Sequence, residues 1–144
     1  MSQQLQIVCP HCRGLNRVPD ARLHDRPNCG HCHAPLFMGH PIGLTAADFD
    51  LHASRADIPL VVDFWAPWCG PCRAMAPAFD QAAKMLEPQV RLAKVNTEAE
   101  QALAARFGIV GIPTIILFRG GREVARRSGA LSSDAIVRWA RTFV

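Results

Sequence analysis

The 144-residue sequence predicts an α/β domain with a small cysteine-rich module at its N-terminus. Three observations point there. From Thr45 onward, apolar runs of strand length alternate with longer stretches of helical composition, the pattern of a sheet covered by helices. All six cysteines fall into C-x-x-C pairs: Cys9/Cys12, Cys29/Cys32 and Cys69/Cys72. The first two pairs lie within the first 38 residues, with His11, His24, His31 and His33 and few large apolar side chains. A segment of that kind cannot build much core and needs a staple.

The elements follow in order. Residues 1–40 are expected to form the module, and Met38-Gly39-His40-Pro41-Ile42-Gly43 reads as a short joint. Residues 41–144 are expected to form the α/β domain. Thr45-Ala46-Ala47-Asp48 is a capping-box signature opening a helix to about Ala53. Leu60-Val61-Val62-Asp63-Phe64-Trp65-Ala66 is nearly all apolar, as a strand buried on both faces would be. Cys69 to about Leu86 is helical in composition, and Pro77 predicts a kink. Val90–Val95 alternates as a strand, and Thr97-Glu98-Ala99-Glu100 caps a helix to about Phe107. Thr114–Phe118 reads as a strand that Gly120-Gly121 turns into a partner near Glu123–Arg127. Ser132 or Ser133 opens a last helix, with Ile136, Trp139, Ala140 and Phe143 on one face.

Composition excludes several classes. Apolar residues are 49% and charged residues 19%, as in an ordinary folded protein and unlike a disordered chain. No apolar run approaches the ~18–20 residues that cross a bilayer, so no membrane role is expected. Met1-Ser2-Gln3-Gln4-Leu5-Gln6 has neither a basic nor an apolar leader region, so a cytoplasmic location is expected. The net charge of +4 and pI of about 9.0 invite a nucleic-acid reading. The excess is spread evenly, however: residues 1–43 hold four arginines against two acids, and residues 44–144 twelve basic residues against ten acids. Without a basic block, no nucleic-acid partner is expected.

Without a secretory leader, paired cysteines suggest metal binding or redox chemistry rather than a disulfide framework. Trp68-Cys69-Gly70-Pro71-Cys72 lies where a buried strand hands over to a helix. There the first cysteine meets unpaired backbone N–H groups and the positive end of the helix dipole, which favour a thiolate. Cys72 lies in the first turn, within reach, and Pro71 is tolerated there. Cys69 is therefore expected as the exposed nucleophile and Cys72 as the resolving thiol. Asp63 is the only charge in its strand. Burial would raise its pKa and fit it to accept the Cys72 proton, whereas on an edge strand it would be an ordinary exposed acid.

Val61-Val62-Asp63-Phe64-Trp65-Ala66-Pro67-Trp68-Cys69-Gly70-Pro71-Cys72 closely resembles the thioredoxins. Lys94, Gly111-Ile112-Pro113-Thr114 and Gly129-Ala130 match at the family's separations, over residues 41–144. The resemblance implies a thioredoxin fold, a cis Ile112–Pro113 bond facing the sulfurs, and an apolar docking surface of Trp68, Gly111, Ile112, Gly129 and Ala130. It implies that Lys94 sits near Asp63, although a solvated lysine would look the same in sequence. Trp65 and Trp139 read as core. The Gly70-Pro71 dipeptide is similar to that of reducing members. The implied activity is reduction of protein disulfides, with recycling by an NADPH-dependent thioredoxin reductase. Ser128 departs from the pattern, where an apolar residue is familiar.

Cys9-Pro10-His11-Cys12 and Cys29-Gly30-His31-Cys32, sixteen residues apart, have the spacing of a zinc ribbon. One structural zinc ion on four thiolates is the expectation, with no organic cofactor. Iron, two disulfides, or replacement of one ligand by His11, His31 or His33 also fit the spacing. A zinc ribbon ahead of such a domain resembles the bacterial thioredoxin 2 type. A monomer is expected. The alternatives are an isomerase or oxidant, a binding module with a structural thioredoxin unit, and a sensor whose metal leaves on oxidation.

Overall fold

The chain builds two separate sheets, seen in a computed structural model that describes residues 3–144. The first two residues of the expected N-terminal module lie outside the described residues. In that module β1 (Gln4–Val8) and β2 (Leu15–Pro19) pair antiparallel, with Ile7 opposite Asn16. Its core is larger than the sequence suggested. Ile7, Val18, Leu23 and Leu36 pack with Cys9 and Cys29, and Ile58 from the α/β part completes the cluster. Gln6 and Asp57 bind the two parts together: the Gln6 N–H donates to Asp57 Oδ2 (2.7 Å), and the Asp57 N–H donates to the Gln6 carbonyl (2.8 Å).

The expected joint is partly a strand. β3 (Ile42–Gly43) pairs parallel with Ala93–Lys94, so the chain enters the second sheet before the capping box. At that box Asp48 Oδ1 accepts the Thr45 N–H (2.8 Å) and Thr45 Oγ1 accepts the Ala47 N–H (3.2 Å), and α1 (Phe49–Arg55) follows. β4 (Leu60–Trp65) is the central strand and is almost wholly buried, as its apolar run predicts. α2 (Gly70–Leu86) runs as one helix through Pro77, burying Cys72, Met75, Phe79, Ala82, Ala83 and Leu86 along one stripe.

β5 (Arg91–Asn96) corrects the alternation reading. It lies between β3 and β4 and is covered on both faces, so even Arg91 is buried. α3 (Gln101–Arg106) starts later than the Thr97 capping box predicts. Asn96 Oδ1 takes the Glu98 and Ala99 N–H groups instead, and the Thr97 hydroxyl donates to the Trp65 carbonyl (2.9 Å). β6 (Thr114–Arg119) and β7 (Arg122–Ser128) form the predicted hairpin, with Gly120 and Gly121 both at positive φ, the geometry of a tight two-residue turn. Ser132 caps α4 (Ser133–Thr142) by accepting the Ala135 N–H.

The second sheet has the order β3-β5-β4-β6-β7, with β3, β5 and β4 parallel and β6 and β7 antiparallel to their neighbours. Its two faces carry separate cores. Val61, Leu92, Ile115 and Leu117 meet α2 and α4, while Val62, Phe64, Val95 and Phe118 meet α1 and α3. Alternation along β4 therefore puts Asp63 on the α2 face, two residues beyond Val61 and toward the strand end where α2 begins.

Candidate redox site and metal centre

Cys69 and Cys72 form a disulfide at the start of α2. Cys69 is the N-cap residue, and its Sγ accepts the Cys72 N–H (3.2 Å), so a sulfur sits among the unpaired donors of the first turn. Pro71 occupies that turn without loss of a helix bond. Both cysteines are covered, Cys69 at 5% and Cys72 at 2% exposure, which corrects the expectation of an exposed nucleophile. Ala66, Trp65 and Ile112 pack around them. Access comes from the rim, where Trp68 is 66% exposed and Gly70 and Gly111 are open.

The Ile112–Pro113 bond is cis, and the Ile112 carbonyl lies 3.7 Å from Cys69 Sγ. Behind it the Gly129 N–H donates to the Pro113 carbonyl (2.9 Å), with Gly129 at φ +95°, a conformation that suits glycine. Ser128 has an internal role: its hydroxyl pairs with that of Thr114 (3.0 Å), and Thr114 in turn donates to the Gly111 carbonyl. That explains a polar residue at this point. Ala130 is exposed beside Gly129. Two neighbours escaped sequence reasoning. Val110 is fully exposed two residues before Ile112, and Arg73 holds the loop before the disulfide by donating to the Pro67 carbonyl (3.1 Å).

Asp63 is wholly buried, and neither carboxylate oxygen has a hydrogen-bond partner among the described residues. Burial pushes its carboxyl up to about 7, against a smaller opposing pull from Lys94. Lys94 is Asp63's register partner on β5, and its Nζ stands 4.6 Å from the centre of the Trp65 ring. Trp65 is half-buried beside the disulfide rather than deep in the core, whereas Trp139 is buried as expected.

The sulfurs of Cys9, Cys12, Cys29 and Cys32 all lie within 4.8 Å of one another, forming a site able to hold a metal ion. Cys9–Cys32 and Cys12–Cys29 approach to 3.6 Å, close to the edge of about 3.8 Å of a tetrahedron with metal–sulfur bonds of about 2.3 Å. N–H groups converge on the sulfurs: those of His11 and Cys12 on Cys9, of Gly14 on Cys12, and of His31 on Cys29. Cys29 is pulled down to about 5, first by the Cys32 backbone and then by Asn16 and His31. At Cys12 the Gly14 N–H pulls down, but burial and the three neighbouring sulfurs outweigh it and push the thiol up to about 12. Crowded thiolates of this kind are what a divalent cation neutralises. The histidines stand apart from this donor set: the His31 ring is bonded to the Leu15 carbonyl instead.

Comparison with protein-family models matches residues 40–142 to the family described as "Thioredoxin" and residues 8–34 to "Thioredoxin 2, N-terminal". The chain belongs to the thioredoxin family. Thioredoxin C-3 of Corynebacterium nephridii is 46% identical over 133 residues, covering 92% of this chain and 91% of that protein. The thioredoxin of Haemophilus influenzae is 42% identical over 94 residues, covering 65% of this chain and 88% of its own length. Thioredoxin 1 of Nostoc is 42% identical over 93 residues, again 65% of this chain. With the Cys69–Cys72 disulfide, this family membership makes the chain a protein-disulfide oxidoreductase. No helix among the described residues is long and apolar enough to cross a membrane.

Proposed function

We propose that this thioredoxin reduces disulfides in other proteins through Cys69 and Cys72, and that an NADPH-dependent thioredoxin reductase regenerates its dithiol. The observation that carries the reading is the redox pair at the N-terminus of α2, with the Ile112 carbonyl against Cys69 Sγ and the buried, unpartnered Asp63 on the face α2 covers. In the reduced chain the Cys69 thiolate attacks one sulfur of a substrate disulfide. A mixed disulfide forms and the other substrate sulfur leaves as a thiolate. Cys72 gives its proton to the Asp63 carboxylate and attacks Cys69. The second substrate sulfur leaves, the substrate is now a dithiol, and Cys69–Cys72 is a disulfide. Two electrons have passed to the substrate, and the reductase restores them.

Docking falls to Trp68, Gly111, Ile112, Gly129 and Ala130, with Gly70 and Pro71 shaping the approach and Val110 extending the apolar rim. Lys94 tempers Asp63. Cys9, Cys12, Cys29 and Cys32 hold one zinc ion, whose role is to staple residues 1–40 as a module beside a catalytic domain at 41–144. The protein acts as a monomer in the cytoplasm, without an organic cofactor, nucleic acid or membrane.

Insulin reduction driven by NADPH and a thioredoxin reductase tests the activity. Cys69→Ser abolishes turnover, and Cys72→Ser accumulates a mixed disulfide visible by mass spectrometry. Wild-type multiple turnover by Cys72→Ser refutes the two-thiol mechanism. A wild-type chain that folds but does not turn over refutes the reductase reading.

A further inference from the structure

Outside the redox site, the least compensated buried charge in the chain is Arg91, the first residue of β5. It is 3% exposed and has no ion-pair partner within 4.0 Å among the described residues. Its Nη2 donates to the Val8 carbonyl (3.2 Å), its guanidinium carbon stands 4.3 Å from the centre of the Phe37 ring, and its Nη1 has no partner. Val8 and Phe37 both belong to the cysteine module, so a charge borne by the thioredoxin sheet is seated in the module. Val8 directly precedes Cys9. A buried guanidinium with one neutral acceptor is costly unless an anion faces it.

The charged and titratable groups around it are few. Both Glu87 oxygens are engaged, one by the Gly39 N–H (3.3 Å) and one by the Leu92 N–H (3.2 Å). His52 is buried beside Arg91 and held neutral, so it adds no second cation. Burial pulls the guanidinium down to about 10, and the Glu87 carboxylate is the largest opposing field. Four thiolates around one divalent cation carry a net charge of −2, and that cluster begins one residue beyond the carbonyl Arg91 grips.

We propose that Arg91 is the counter-charge of the metal–tetrathiolate centre: a cation supplied by the thioredoxin sheet that neutralises part of the centre's charge and raises the module's affinity for its metal. The proposal rests on reading Cys9, Cys12, Cys29 and Cys32 as a metal site. Metal affinity is then a property of both parts of the chain, fixed by a residue outside the ribbon and touching none of the redox pair.

The test measures zinc affinity of the full-length chain by competition with a chromophoric chelator, together with the absorption spectrum of the cobalt-substituted protein. Arg91→Met keeps a chain of similar length against Phe37 and removes the charge; Arg91→Lys keeps the charge. Removing an outer group of a metal site weakens binding by about 10–100-fold. Arg91→Met should fall in that range with an unchanged tetrathiolate cobalt spectrum, and Arg91→Lys should stay within about threefold of wild type. Wild-type affinity in folded Arg91→Met overturns the proposal. So does a tenfold loss in Arg91→Lys, or a changed cobalt spectrum, since either would make the effect one of packing. If Arg91→Met does not fold, Arg91→Gln decides: it keeps a donor for the Val8 carbonyl and removes the charge. A tenfold or greater fall with an unchanged cobalt spectrum supports the proposal, and affinity within threefold overturns it. A wild-type chain that binds no zinc or cobalt overturns the four-cysteine reading itself, an outcome distinct from a variant that binds as well as wild type.

Discussion

Replacing Asp63 by asparagine keeps the side chain's shape and removes its charge, so it isolates the electrostatics of the redox site. In the folded chain, burial pushes the carboxyl up to about 7. In an unfolded chain it titrates near about 3.9. The folded state therefore binds the proton more tightly. The penalty for ionising the buried carboxyl is absent below about pH 4, grows as pH rises toward 7, and is complete above it. A shift of three units at about 1.4 kcal/mol each makes the full penalty about 4 kcal/mol. Between pH 5 and pH 8 this group alone should cost the wild type about 3 kcal/mol, whereas asparagine contributes no such slope.

The assay is denaturant unfolding of the oxidised wild type and of oxidised Asp63→Asn at pH 5 and pH 8, since neither sulfur of the disulfide titrates. Asparagine has a cost of its own, roughly 1–3 kcal/mol for a buried amide without a partner. That cost is the same at both pH values and drops out of the double difference. The stability of Asp63→Asn relative to wild type should rise by about 3 kcal/mol from pH 5 to pH 8. A rise of less than about 1 kcal/mol refutes the account of Asp63 as a desolvated, unpartnered acid. In the reductase assay the same variant should slow release of the mixed disulfide by about 100-fold, the scale of a lost general base.

Further outcomes are expected elsewhere. Trp68→Ala should leave stability within about 0.5 kcal/mol, because the ring is mostly in water, yet raise KM for a protein substrate; a matching loss of stability would make Trp68 a packing residue. His52 is held down to about 4 chiefly by burial, so its contribution is complete above about pH 6.5 and is lost as pH falls toward 4. Compared at pH 7.5 and pH 4.5, His52→Gln should remove roughly 2–3 kcal/mol of the wild type's acid loss; parallel pH curves would show that His52 is not the group responsible. Stripping metal with a chelator should abolish hydrogen-exchange protection in β1 and β2 while β4, β5 and β6 stay protected. Unchanged protection in β1 and β2 would show that the centre is not structural.

What could be read from the sequence was what local chemistry decides. The apolar run 60–66 reads as a strand buried on both faces, and of the two readings of Asp63, buried acid or exposed edge residue, the structure bears out the buried one. The Ser132 cap and the Gly120-Gly121 turn need nothing from distant residues, whereas the Thr45 turn before α1 also takes a bond from its Ala46 N–H to Glu100, fifty-four residues away. The misreadings all depend on what packs from elsewhere. Thr97 reads as a cap, but its hydroxyl is taken by the Trp65 carbonyl, thirty-two residues away, and Asn96 does the capping. Arg91 reads as the outer residue of an alternating strand, yet the module covers that position. Trp65 reads as core, yet it ends β4 where the sheet opens toward the disulfide. The joint at 38–43 gives no strand signal because its pairing comes from β5, and Ser128 departs from the family pattern because Thr114 binds its hydroxyl.

One spacing, C-x-x-C, leads to two chemistries in this chain, and the surroundings select between them. At both places N–H groups converge on the first sulfur: that of Cys72 on Cys69, and those of His11 and Cys12 on Cys9. The donors alone do not discriminate. What differs is how many sulfurs the fold gathers and which charges sit behind them. Around Cys69 there is one partner sulfur, an apolar wall and a buried acid able to take up a proton, so electrons and a proton can leave together as a disulfide forms. Around Cys9 there are three more sulfurs and, behind the Val8 carbonyl, a buried arginine. An extra cation there opposes protonation of the thiolates and favours holding all four of them on a metal. The same reasoning gives a test of the charge behind the four sulfurs. A buried carboxylate in place of Arg91 should weaken metal binding more than Arg91→Met does, because it adds a negative charge to a centre already at −2.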